Sequence, residues 1–106
     1  MNVIQGFLKE ELANSLAMKA SYERELSKLP KGSLIKKQVK GHEYYYVVLR
    51  EKGEVRFIYK GKQLDEVEIQ KYREAREYRA RYRKLLSEVK QQIRFIRSAL
   101  RGNKSA

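Results

Sequence analysis

Apolar residues return every three or four positions at both ends of this chain and alternate with polar ones in its middle. That change of rhythm predicts a helix, then strands, then a second helix. In the first stretch Ile4, Phe7, Leu8, Leu12, Leu16, Leu26 and Leu29 mark one helical face, over about residues 2–29. Pro30 ends it, because the residue before a proline is driven out of the α region. In the middle, Gly41, Gly53 and Gly61 punctuate runs of β-branched and aromatic residues. Strands are expected at Leu34–Lys40, Glu43–Glu51 and Glu54–Lys60. The turns Lys40-Gly41-His42-Glu43 and Glu51-Lys52-Gly53-Glu54 are short enough to make them an antiparallel meander over about residues 33–61. Tyr44, Tyr46 and Val48 fall on one face of the middle strand, and Tyr45, Val47 and Leu49 on the other. Being apolar on both sides, that strand belongs at the centre, with cover over part of each face.

The last stretch, about residues 65–101, carries an almost heptad-like apolar stripe: Ala75, Tyr78, Tyr82, Leu85, Val89, Ile93, Ile96 and Leu100. Such a stripe favours shallow-angle packing on another helix, and the first helix is the available partner. Asp65 with Glu68 three positions later has the form of a capping box, and Gly102 suits the stop. The expected fold is therefore α+β. A small antiparallel three-stranded β-meander lies between two long helices that form an antiparallel, coiled-coil-like hairpin. The chain is read as one domain over residues 1–102, with 103–106 as a disordered tail.

Charge changes the picture more than composition does. The chain holds 25 Lys+Arg against 13 Asp+Glu, for a formal net charge of +12. By segment, residues 1–30 are neutral, while residues 31–62 and 63–106 carry +6 each. An excess of this size speaks about partners, and polyanions are the natural ones. With no cysteine, disulfides and Cys-based metal sites are excluded, and a reducing, cytoplasmic setting is expected. The N-terminus lacks a signal-peptide pattern, and no apolar run approaches the roughly 20 residues that span a bilayer.

The sharpest feature is a stripe on the last helix. Arg76, Arg79, Arg83, Lys90, Arg94, Arg97 and Arg101 alternate at spacings of three and four, with Leu86 as the one break, and so share a face. They form a basic rail beside the apolar seam, suited to a run of phosphates. The competing reading is a solvated face whose arginines pair with Glu74, Glu77 and Glu88, or with Glu10, Glu11, Glu23 and Glu25 of the first helix. The meander adds Lys36, Lys37, Lys40, Arg56 and Lys60 as candidate phosphate contacts, within a cluster that also holds Lys31, Arg50, Lys52 and Lys62. Strand cations between aromatics can enter a DNA groove or flank bases stacked on rings. They also serve simply to keep sheet edges from pairing, and the three tyrosines read more naturally as packing residues.

Enzymatic readings find little support. His42 stands alone in a turn, no set of metal ligands converges, and no phosphate-binding loop or nucleophile elbow is present. The chain is too small for the catalytic fold that a tyrosine recombinase needs. No catalytic residue, metal or cofactor is expected.

The block from Leu29 to Lys62 carries a further pattern: Lys31-Gly32-Ser33-Leu34, then Tyr44-Tyr45-Tyr46, Arg50-Glu51, Gly53, Val55, Tyr59 and Gly61-Lys62. It resembles small uncharacterised prokaryotic proteins, often found near mobile elements, that share this KGSL…YYY…RExGxV…YxGK order. It is also similar to the β-hairpin near the N-terminus of some insertion-sequence transposases. The first resemblance implies no activity; the second implies DNA contact without chemistry, since the catalytic acids are missing.

The function expected from these readings is non-catalytic, largely electrostatic binding of nucleic acid, DNA ahead of RNA, with weak sequence preference. The rival is a protein-interaction module in which the long helix self-associates as a homodimer or takes an acidic partner. Membrane-surface binding ranks last, as the long helix has only Phe95 as a large aromatic in its C-terminal half.

Overall fold

The computed structural model describes residues 2–102. The element order is α1 (Val3–Lys28), β1 (Ser33–Val39), β2 (His42–Glu51), β3 (Glu54–Gly61) and α2 (Glu66–Gly102). Each boundary lies within about two residues of the pattern-based expectation. The tail expected at residues 103–106 lies outside the described residues. Two compact units form, one from α1 with α2 from Ala80 onward, the other from residues 29–79.

Both helices begin on a side-chain cap. Asn2 Oδ1 accepts from the Ile4 and Gln5 backbone N–H groups, at 3.0 and 3.4 Å. Asp65 Oδ1 accepts from the Val67 N–H at 3.3 Å. Glu68 does not close a reciprocal box; its carboxylate sits 3.8 Å from Lys60 Nζ.

In the helical unit, α1 and α2 pack against each other and run antiparallel. Tyr22 meets Tyr82 with ring centroids 6.1 Å apart, and Gln92 Nε2 donates to Ser15 Oγ at 3.1 Å, so partner numbers fall as α1 advances. The α2 seam is as expected: Val89, Ile93 and Ile96 are buried, with Tyr82, Leu85 and Leu100 half-buried. The α1 face is not. Ile4, Phe7 and Leu16 stand exposed, whereas Leu8, Leu12, Ser15, Lys19, Tyr22 and Leu26 turn inward. Ser15 is the most deeply buried of these, at 1% exposure. Side-chain placement there follows the strict three-four spacing that faces α2, and hydrophobicity yields to it.

In the sheet unit, β2 is central and pairs antiparallel with both neighbours. Each hairpin turns on two residues of positive φ, Lys40-Gly41 and Lys52-Gly53, the geometry whose twist matches the flanking strands. Lys60 is left without a partner, because Tyr46 pairs with Tyr59 and Tyr45 with Gly61. The Tyr45, Val47 and Leu49 side looks toward the first turns of α2, with Val47 and Ala75 both buried. Gly32 lets the loop before β1 press closely on β2. A Cβ there would lie 2.6 Å from Val47 Cγ1 and 2.9 Å from the Val48 carbonyl oxygen, and its φ is +89°.

Candidate nucleic-acid interface

In the helical unit the rail comprises Arg83, Lys90, Arg94, Arg97 and Arg101, all exposed. At 1.5 Å per residue they extend over about 27 Å of helix. Helical geometry puts Glu74, Glu77 and Glu88 of α2 roughly 150° around from the rail, so the helix's own carboxylates face elsewhere. Two of the four α1 carboxylates have local partners: Glu23 lies 3.9 Å from Lys19 and Glu25 lies 3.2 Å from Lys28. Among the described residues, no rail cation makes an ion pair.

Lys9 joins this set from α1. With Gln5, Arg97, Leu100 and Arg101 it lines a shallow groove of about 290 Å³. Three cations from two helices thus converge on one concavity. Sequence reasoning missed Lys9 because α1 is neutral as a whole, and only the antiparallel packing sets it opposite Arg97 and Arg101.

The other two rail residues belong to the sheet unit. Arg79 is half-buried and donates from Nη2 to the Pro30 carbonyl oxygen at 2.6 Å, so it ties α2 to the loop after α1. Its first role is structural. Arg76 lines a groove of about 550 Å³ with Lys36, Tyr45, Tyr72 and Arg73. Here the fold brings together two candidates from distant parts of the chain, Lys36 and Arg76. It also adds Arg73, whose only sequence signal was its place one turn before Arg76.

The sheet cations do not form one cluster. Lys36 lies on the α2-facing side, 3.4 Å from Glu43 and 5.5 Å from the Tyr45 ring centroid. The Glu43 charge holds its ammonium above the usual lysine value of 10.5, with Tyr45 adding to the effect. Lys60 has Glu68 beside it, Arg56 is exposed opposite Leu49, and Lys40 is exposed in the first turn. Lys37 alone of the five reaches the other side, 5.4 Å from the Phe57 ring centroid.

That other side is open. Tyr44, Tyr46 and Tyr59 form a ring cluster with centroid separations of 6.1 Å for Tyr44–Tyr59 and 5.5 Å for Tyr46–Tyr59. Phe57 and Tyr59 remain 55% and 56% exposed. The tyrosine triplet, expected to serve packing, is therefore divided: Tyr45 lines the groove beneath α2, while Tyr44 and Tyr46 support an uncovered surface.

Among the described residues no group of three His, Asp or Glu side chains is arranged to hold a metal ion. Nor is any helix there long and apolar enough to cross a membrane. A family model for DUF6788, a domain of unknown function, matches residues 5–69, and the chain belongs to that family. The match takes in most of α1, the whole sheet and the first turn of α2, and stops before Arg76. No curated protein and no solved structure matches the chain.

Proposed function

We propose that this DUF6788 protein is a small, non-catalytic nucleic-acid-binding protein that acts mainly by electrostatics and prefers DNA. The observation that carries the reading is the rail: exposed cations in register along one flank of α2, with the carboxylates of that helix on another flank. Cations without internal partners keep their counterion-displacing capacity for an outside ligand. Lys9, Arg97 and Arg101 add a concave end to the rail, and Arg73 and Arg76 in the groove beneath α2 offer a second phosphate contact. The likeness of the Leu29–Lys62 block to a transposase hairpin, and its mobile-element associations, favour DNA over RNA.

Five rail contacts imply a log–log salt slope of about −4.5, so affinity for a duplex should fall several-hundredfold between about 50 and 200 mM salt. Changing Arg94, Arg97 and Arg101 together to Glu should cost about a hundredfold or more and flatten the slope by about 3. A salt-independent affinity, or a triple variant that binds like the parent, would sink the reading.

A second reading has its own observation. Val3, Ile4 and Phe7 on α1 and Phe95 on α2 stand exposed, at 59% or more, although each is large and apolar. A self-associating helical unit would cover them. Sedimentation across a range of concentrations decides: a monomer throughout removes this alternative.

A further inference from the structure

The open side of the sheet has a charge pattern that the rail does not explain. Strand alternation and the observed register place Ser33, Ile35, Lys37 and Val39 of β1, His42, Tyr44, Tyr46, Val48 and Arg50 of β2, and Val55, Phe57 and Tyr59 of β3 on this side. Every carboxylate of the three strands falls on the opposite side: Glu43, Glu51 and Glu54. The open face is therefore rings and cations without an acid. Lys37 sits over Phe57 at 5.4 Å, and Lys62 sits over Tyr44 at 5.7 Å from the ring centroid.

We propose that this face is a stacking platform for unpaired bases, and that its occupant is a short stretch of single-stranded DNA; the inference rests on the nucleic-acid reading above. Phe57 and Tyr59 are alternate residues of one strand, about 6.6 Å apart along it, and each presents a ring surface to a neighbouring base. Tyr44 and Tyr46 flank the Tyr59 ring on the same side of the sheet, so part of the ordering cost is met before binding. Lys37 and Lys62, drawn off the Phe57 and Tyr44 rings by the incoming strand, then meet its phosphates together with Arg50. A base inside a duplex already has both faces stacked and offers only its edges, so this surface selects strands that are unpaired. A second copy of the chain is the poorer occupant, because a two-fold contact through this face would oppose two cationic surfaces to which the strands bring no carboxylate.

Binding of labelled oligothymidylate of about twelve nucleotides, and of a duplex of similar length, tests this in the full-length protein. Phe57→Leu and Tyr59→Leu keep apolar bulk and remove the ring. Each should weaken oligothymidylate about tenfold while leaving duplex affinity unchanged, and Phe57→Leu should leave the melting temperature unchanged as well. Oligothymidylate should also quench the tyrosine emission of the wild type, whereas inorganic polyphosphate, which has charge but no bases, should not; this readout needs no variant to fold. Oligouridylate is expected to bind equally or more weakly, and tighter binding would hand the surface to RNA. Variants that bind single strands like the parent, lose both forms equally, or instead dissolve a concentration-dependent dimer would overturn the platform alone. Failure of both duplex and single strand to bind the wild type would remove the proposed function, and this inference with it.

Discussion

Tyr44, Tyr46 and Val48 on one side of β2, and Tyr45, Val47 and Leu49 on the other, are nearly the same chemistry in two different surroundings. One side meets the first turns of α2, and Val47 there is 3% exposed. The other supports Phe57 and Tyr59, each more than half exposed. Hydrophobicity therefore does not decide which side becomes core in this sheet. What decides is which side the chain can cover, and within residues 29–79 only the first turns of α2 supply cover. The acids follow the same division, since Glu43, Glu51 and Glu54 share the α2-facing side and leave the open one cationic. A face that is apolar, uncovered and free of carboxylates is better suited to a ligand than to a core.

Three experiments, on four substitutions, would break or sharpen that contrast. The largest effect is expected from Gly32→Ala. The new Cβ would press on Val47 and Leu49 side chains and on the Val48 carbonyl, at a φ that disfavours L side chains. The backbone oxygen cannot swing aside, so a loss of about 3 kcal/mol is expected in urea-unfolding curves. Next comes a pair measured together. Val47→Ala should cost about 2 kcal/mol, while Phe57→Ala, although it removes far more carbon, should cost less than about 1 kcal/mol. An equal or reversed order would mean that the open face is covered in solution.

The smallest effect concerns Lys36. Lys36, on the α2-facing side, has its pKa raised by Glu43. A raised folded-state value means that this pair's contribution is fully present at neutral pH and is lost only as pH climbs above 10.5, through the folded value. Glu43→Gln should bring the Lys36 titration back toward 10.5 in an NMR titration of the lysine side chains. A Lys36 titration unchanged by the substitution would show that Glu43 is not the cause.

The candidate site was legible in part. Spacing alone put the rail on one flank of α2, since seven cations at intervals of three and four can share only one face of a helix. It could not tell that Arg79 donates to the Pro30 carbonyl and so serves the loop first. Nor could it find Lys9 or Arg73, which matter only because packing sets each beside a rail residue. The α1 face failed for a related reason. A hydrophobicity pattern prefers Leu16 to Ser15, but the position that meets Gln92 is Ser15, and α2 fixes that choice.

Periodicity, caps, turn glycines and the +12 charge are properties of residues and their near neighbours, and the first three determined the five elements and their antiparallel meander. Burial is a property of pairs of surfaces. Whether Tyr44 and Tyr46 back an open platform, whether Ser15 outranks Leu16, and which cations converge were decided only when the elements came together. A side chain's solvent contact depends on what lies across from it, and a single sequence does not state that distance.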